Sequence, residues 1–84
     1  MEEVYEFAVP YLLDACQNPK EASIVKHEGL VAVGEMIDEE EKIAYLLDHE
    51  DPIVAESCAV AINNIRNRLA EQAEWAARQA NGED

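Results

Sequence analysis

Residues 23–36, SIVKHEGLVAVGEM, come back in altered form at residues 52–65, PIVAESCAVAINNI. Ile24, Val25, Val31 and Ala32 recur as Ile53, Val54, Val60 and Ala61, while Val33 becomes Ile62 and Met36 becomes Ile65, all at an offset of 29. The tetrapeptide YLLD precedes both copies, at 11–14 and 45–48. Its distance to the following Ile-Val is five residues longer in the first copy, where NPKEAS supplies a longer loop. Self-similarity at this period indicates a helical repeat array, in which each unit buries its apolar side on the next. The expected fold class is therefore all-α, a fragment of an α-α superhelix or solenoid.

Each unit reads as two helices. The first (A) helix of unit one runs from Glu3 to Cys16, with Pro10 either near its real start or kinking it. NPKEAS then turns the chain, and Ser23 is placed to cap a second (B) helix that continues to about Ile37. Asp38 caps the next A helix, EEEKIAYLLD, whose glutamates suit its positive N-terminus. HEDP is the following turn, Pro52 fits the first position of the last helix, and that helix continues past Leu69 to Trp75. ANGED reads as a frayed end. Two units, 3–37 and 38–69, thus make a domain over 1–69, with 70–84 as a helical extension and acidic tail. By repeat position Tyr11 and Tyr45 belong to the core; the alternative is that they are exposed at a contact. Trp75 is either a solvent-exposed anchor or a cap over the terminal unit.

Two units fall short of the roughly three an independent array needs, so the chain is expected to pack against further N-terminal repeats or a second copy. With 84 residues it makes one small domain, and 19 acidic against 6 basic residues give a formal charge of −13. No basic stripe is available to displace counterions from phosphates, which argues against nucleic acid, and anionic membranes are disfavoured for the same reason. A basic protein or a polyamine-like cation is the natural partner of such a field, unless the acidity serves solubility alone. No apolar run reaches transmembrane length, and the start, MEEVYEFAVP, is acidic where a signal peptide would be basic. A cytoplasmic, reduced setting is expected. Cys16 and Cys58 form no CxxC pair and read as small core residues.

At ~100° per residue, the apolar residues of the first B helix leave only a narrow polar sector. His27 and Glu28 flank the open direction, with Val31 between them and Glu35 two turns below Glu28. The corresponding direction in the second unit carries Glu56, Ser57, Asn63 and Asn64. In a solenoid such inner helices line the concave binding surface. Neutral imidazole is a good ligand for iron or zinc, and a nearby carboxylate can bind metal or orient a bound group. Neighbouring helix residues point ~100° apart, so one ion does not readily take both. Helices facing each other across a groove could share such donors around two metals. One pair is at best part of a site, and the alternative is a plain polar contact on the groove wall. The second pair, His49-Glu50, falls in the HEDP turn and reads as solvated residues at a helix start.

The residues carry a resemblance as well. SIVKHEGLVAVGEM, a short A helix and then DPIVAESCAVAINNI together resemble the C-terminal end of deoxyhypusine hydroxylase, in which VRHE…EALGAI precedes DP…VRESCxVAL. The resemblance covers about residues 5–69, and ESC with HE upstream is its most specific part. It implies HEAT-like helical hairpins in two facing halves. It further implies four His-Glu pairs around a non-haem di-iron centre, and the use of dioxygen to hydroxylate the deoxyhypusine side chain of translation factor 5A. His27-Glu28 then matches the last of the four pairs, one quarter of the site. His27 would be an iron ligand, and Glu28 a ligand or, in the preferred reading, a group that supports the ligands or meets the substrate amine. Glu56, on the ESC motif, would face the same groove as a substrate contact and not as a ligand. The other three pairs are absent from this sequence, GLVAVGEM replaces the usual AAEALGAI type, and residues 70–84 have no counterpart. The chain alone is expected to be catalytically silent. The competing reading is a non-catalytic HEAT-type interaction module, of the kind found among phycobilin-lyase-like repeat proteins.

Overall fold

Part of the apolar repeat pattern meets in one core, while Ile24, Val25 and Val60 stay exposed. Leu30, Val33 and Ile37 from the first copy close on Val54, Cys58, Ala61, Ile62 and Ile65 from the second, with Cys16, Ile43 and Leu46 filling the ends. A computed structural model describes residues 2–82, with side chains from residue 6 onward. Three α-helices account for most of it: α1 (Glu2–Gln17), α2 (Ser23–Met36) and α3 (Pro52–Ala80). No strand occurs among the described residues, so the chain is all-α. α2 is the central element and packs against α1 and α3. No helix of the described residues is long and apolar enough to cross a membrane.

α2 and α3 approach each other closely at one point. A Cβ built on Gly34 would stand 2.9 Å from the Ala61 Cβ, 3.0 Å from its Cα and 3.1 Å from its carbonyl oxygen. Only glycine fits there. About two turns further on, Arg68 of α3 reaches across the end of α2. Its guanidinium donates to the Gly34 carbonyl at 2.9 Å, to the Ile37 carbonyl, and to Asp38 Oδ1 at 3.0 Å. These carbonyls belong to the last turn of α2, which has no intrahelical donor for them. A side chain some thirty residues away therefore closes the helix.

Several local expectations are corrected. Ser23 is the first helical residue of α2 and not its cap; Ala22 holds the cap position with no side-chain hydrogen bond. Asp38 does not cap a helix, since Glu39 precedes the next element and Asp38 instead accepts from Arg68. That element is not an α-helix but two short 3-10 turns, Glu40–Lys42 and Ala44–Asp48. This hairpin has five residues fewer than the first before its Ile-Val. A 3-10 helix rises ~2.0 Å per residue against ~1.5 Å for α, so it spans more distance with a shorter chain. Pro10 lies well inside α1, on its exposed side, so the helix neither begins there nor stops there.

Pro52 does open α3, and Asp51 is its N-cap, with the carboxylate accepting from the Ile53 N–H at 2.9 Å. α3 runs past Trp75 to Ala80, and of the ANGED end Asn81 and Gly82 form a turn while residues 83–84 lie outside the described residues. Tyr11 and Tyr45 are not core: they are 73% and 56% exposed. The leucine that follows each tyrosine in YLLD turns inward instead, Leu46 fully and Leu12 in part. Trp75 caps nothing, because every residue from Leu69 to Gly82 is exposed and α3 projects past the body of the molecule. Ile24 and Val25 also face solvent, so α2 is enclosed on two sides and not all round.

Cys16 and Cys58 are both free and buried. The Cys58 thiol donates to the Ile43 carbonyl at 3.0 Å, and burial pushes its pKa up to about 11. Burial raises the Cys16 thiol as well. Neither is a thiolate near neutral pH, and neither is a nucleophile there.

Candidate functional site

His27 stands on the edge of α2 that looks toward α3. Its Nδ1 lies 2.8 Å from the hydroxyl of Ser57, which is itself buried. When Nδ1–H donates to that hydroxyl, the lone pair rests on Nε2, which has no protein partner among the described residues. The ring is half-buried and lines a shallow groove of about 400 Å³ between the two helices. Ile24, Ile53 and Val60 supply its apolar wall, and Glu56 supplies a carboxylate. A larger cleft of about 470 Å³ lies between α1 and the first 3-10 turn, lined by Val9, Pro10, Met36 and Lys42, and it holds no imidazole.

The residues singled out from the sequence are thus not all together. His27 and Glu56 line one groove, and Glu28 does not. One residue further along α2, Glu28 is exposed in the middle of the solvent-facing arc, where Ile24, Val25 and Glu35 are also exposed. Ser57, expected in the open direction, is turned inward on His27. His49 sits in the turn before α3, and its Nδ1 accepts from the Asp51 N–H at 3.0 Å. Among the described residues no three His, Cys, Asp or Glu side chains converge as a metal cage would require. The groove thus carries one oriented imidazole, and the carboxylate of the next residue lies outside it.

One pairing beside the site escaped sequence reasoning. Lys26, adjacent to His27, is buried, and its ammonium donates to Asp51 Oδ2 at 2.7 Å. Asp51 therefore caps α3 with one oxygen and holds α2 with the other. The Lys26 ammonium and the Ile53 N–H keep the Asp51 carboxyl below the usual carboxylate range. A lowered carboxylate pKa stabilises the fold above the unfolded value, and that contribution is lost as pH falls through the folded one. The difference in urea midpoint between wild type and Asp51→Asn is expected to be constant above about pH 5 and to close as pH falls below about 4. A gap that persists unchanged at pH 2 would mean the ion pair contributes nothing. The available signal was Asp immediately before Pro, which marks an N-cap.

The sequence is similar to deoxyhypusine hydroxylase. Over 72 residues, 82% of the chain, it is 33% identical to the enzyme of Gibberella zeae and 35% identical to that of Neurospora crassa. The enzyme of Phaeosphaeria nodorum is 37% identical over 59 residues, 67% of the chain. The chain spans about a fifth of the length of these curated relatives: 21%, 22% and 18%. No family model matches the chain, and no solved structure matches it at a significant level.

Proposed function

We propose that the chain is a share of a deoxyhypusine hydroxylase-like iron oxygenase, supplying one His-Glu pair to a di-iron site completed by repeats outside these residues. The observation that carries this reading is the His27 imidazole, fixed at Nδ1 by buried Ser57 and unpartnered at Nε2. A ligand imidazole is commonly oriented in this way, through its second nitrogen. His27 would bind the metal through Nε2. Glu28, pointing ~100° away, would serve a neighbouring ion or a substrate amine. Iron held by histidine and carboxylate with open positions supplies oxygen activation when bound. Glu56 would receive the cationic deoxyhypusine side chain of translation factor 5A, and a chain of charge −13 favours the approach of such a basic substrate. Dioxygen would be the co-substrate.

A second reading, a non-catalytic HEAT-type interaction module, is supported by the apolar wall of the same groove, where Ile24, Ile53 and Val60 could hold a partner's aliphatic side chain. Titration with ferrous iron under anaerobic conditions separates the two. Wild type is expected to bind iron weakly, or only as a dimer, and His27→Ala not at all. His49→Ala should bind as wild type does, because His49 is occupied at the start of α3. Equal binding by wild type and His27→Ala would leave the module reading.

A further inference from the structure

Part of the repeat is not explained by packing. In YLLD the first leucine turns inward in both copies, Leu12 in part and Leu46 fully. The tyrosine before it and the aspartate that ends the motif recur as well, yet Tyr11, Asp14, Tyr45 and Asp48 are all exposed. At the same offset of 34 another exposed position diverges, since Phe7 is answered by Glu41. The core requires neither a tyrosine nor a carboxylate at these places.

Geometry sets each tyrosine beside its aspartate. Residues i and i+3 are neighbours on an α-helix, as in α1, and eclipse one another in a 3-10 helix, as in Ala44–Asp48. Tyr11 and Asp14 lie on the side of α1 away from Val9, Leu13 and Cys16, which pack in or on the core. The second pair joins the same surface, because Gln17 of α1 donates to the Tyr45 hydroxyl at 3.3 Å. Tyr45 stays 56% exposed although unit one precedes its unit, so a further unit ahead of Tyr11 would leave that ring open too. No residue of α1 lines the His27 groove.

The carboxylates of this surface are unmet. Five of the six basic side chains form ion pairs, with Asp38, Glu39, Glu40, Asp51 and Glu74, and among the described residues none pairs with Asp14 or Asp48. A guanidinium suits a ring beside a bare carboxylate: its plane stacks on the tyrosine while its edge donates to the aspartate. Packed helices stand about 8–10 Å apart, and an extended chain in the polyproline form advances ~3.1 Å per residue. About three residues therefore carry such a chain from one pair to the next.

We infer that the surface formed by Tyr11–Asp14 and Tyr45–Asp48 docks an extended segment of a basic protein, with arginines three residues apart and one guanidinium on each tyrosine–aspartate pair. This goes beyond the proposed function and uses none of its metal chemistry.

The test titrates the whole chain with a fluorescein-labelled peptide, PPRPPRPP, whose prolines hold the extended form. The ring signals of Tyr11 and Tyr45 are expected to shift on binding. A peptide of the same composition with adjacent arginines, PPPRRPPP, should bind about fivefold more weakly, and so should PPRPPRPP to Tyr45→Ala. Tyr45→Phe keeps the ring, loses the contact with Gln17, and should bind as wild type does. Asp14→Asn should weaken binding about threefold, whereas Glu71→Gln, the same change of charge on the projecting part of α3, should not. His27→Ala should bind normally, and circular dichroism should be alike for all variants. Equal affinity for the two peptides, or equal affinity of wild type and Tyr45→Ala, would reduce the binding to the general attraction of a chain of charge −13 and overturn the inference. Loss of binding in His27→Ala would place the peptide in the groove and overturn it as well, as would no binding by wild type. The iron titration above is untouched by any of these results, so the two readings fail separately.

Discussion

Gly34→Val is expected to cost about 3 kcal/mol, the top of the range for overpacking a tight contact. For a two-unit domain with little stability to spare, that leaves a substantial unfolded population at 37 °C. The branched side chain would have to occupy space already held by Ala61, whose Cβ, Cα and carbonyl oxygen all lie within 3.1 Å of where the new Cβ stands. A helix normally gains about 1 kcal/mol when glycine is replaced by alanine, and valine gains less because of its stiff χ1. That intrinsic gain does not offset the collision. Ala61→Gly should not rescue the variant, because two of the three obstructing atoms are backbone. Separating the helices would also pull the Gly34 and Ile37 carbonyls from Arg68, so the cap of α2 fails with the crossing. Urea denaturation followed by circular dichroism measures the loss, and an unchanged midpoint would refute the close approach.

Asp51→Asn should be the next most damaging change, and its size should exceed that of Lys26→Met. Asparagine still caps α3, so what is lost is the countercharge to an ammonium whose side chain is 8% exposed. Stranding the Lys26 charge costs more than Lys26→Met, which removes the charge and keeps the stem packing. Asp51, a quarter exposed, remains hydrated and still bonds the Ile53 N–H. The double variant should recover most of the loss seen in Asp51→Asn, ending near Lys26→Met. If the two single variants are equally damaging and their effects simply add, the pair is not coupled. Because Lys26 precedes His27, Asp51→Asn should also loosen the imidazole's hold on Ser57, which nitrogen-15 chemical shifts of the ring would register.

The repeat was readable in part because packing had constrained it. Val33 and its counterpart Ile62 are both core and Met36 and Ile65 pack on or in it, whereas Ile24, Val25 and Val60 keep the pattern while exposed. Cys58 was legible as core because a lone cysteine with no CxxC partner reads as a small core residue. What failed had physical causes of three kinds. The 3-10 character of residues 40–48 depends on the distance from α2 to α3, which no local pattern encodes. Tyr11 and Tyr45 sit at repeat positions that suggest burial, yet in this fold the leucine after each takes the inward place. Ser23 and Asp38 have good capping chemistry, but Ala22 holds the start of α2 and Glu39 the start of the first 3-10 turn. At the candidate site, the direction of His27 toward a groove could be read from the wheel. Its partner Ser57 could not, since contact across helices depends on how far each is rotated. The offset did hold a clue: His27 aligns with Glu56, one residue short of the serine it touches.

The projecting half of α3 decides how this protein can be watched. Its sole tryptophan, Trp75, rides on that rod, 64% exposed and beyond the last core residue, Ile65. Indole emission should already be red-shifted in the native protein and should scarcely change while Leu30 and Ile65 are torn apart. A fluorescence melt would trace the fraying of a lone helix and report a false, shallow transition. The same dye, deaf to the interior, would turn blue only when some other surface closes over the rod.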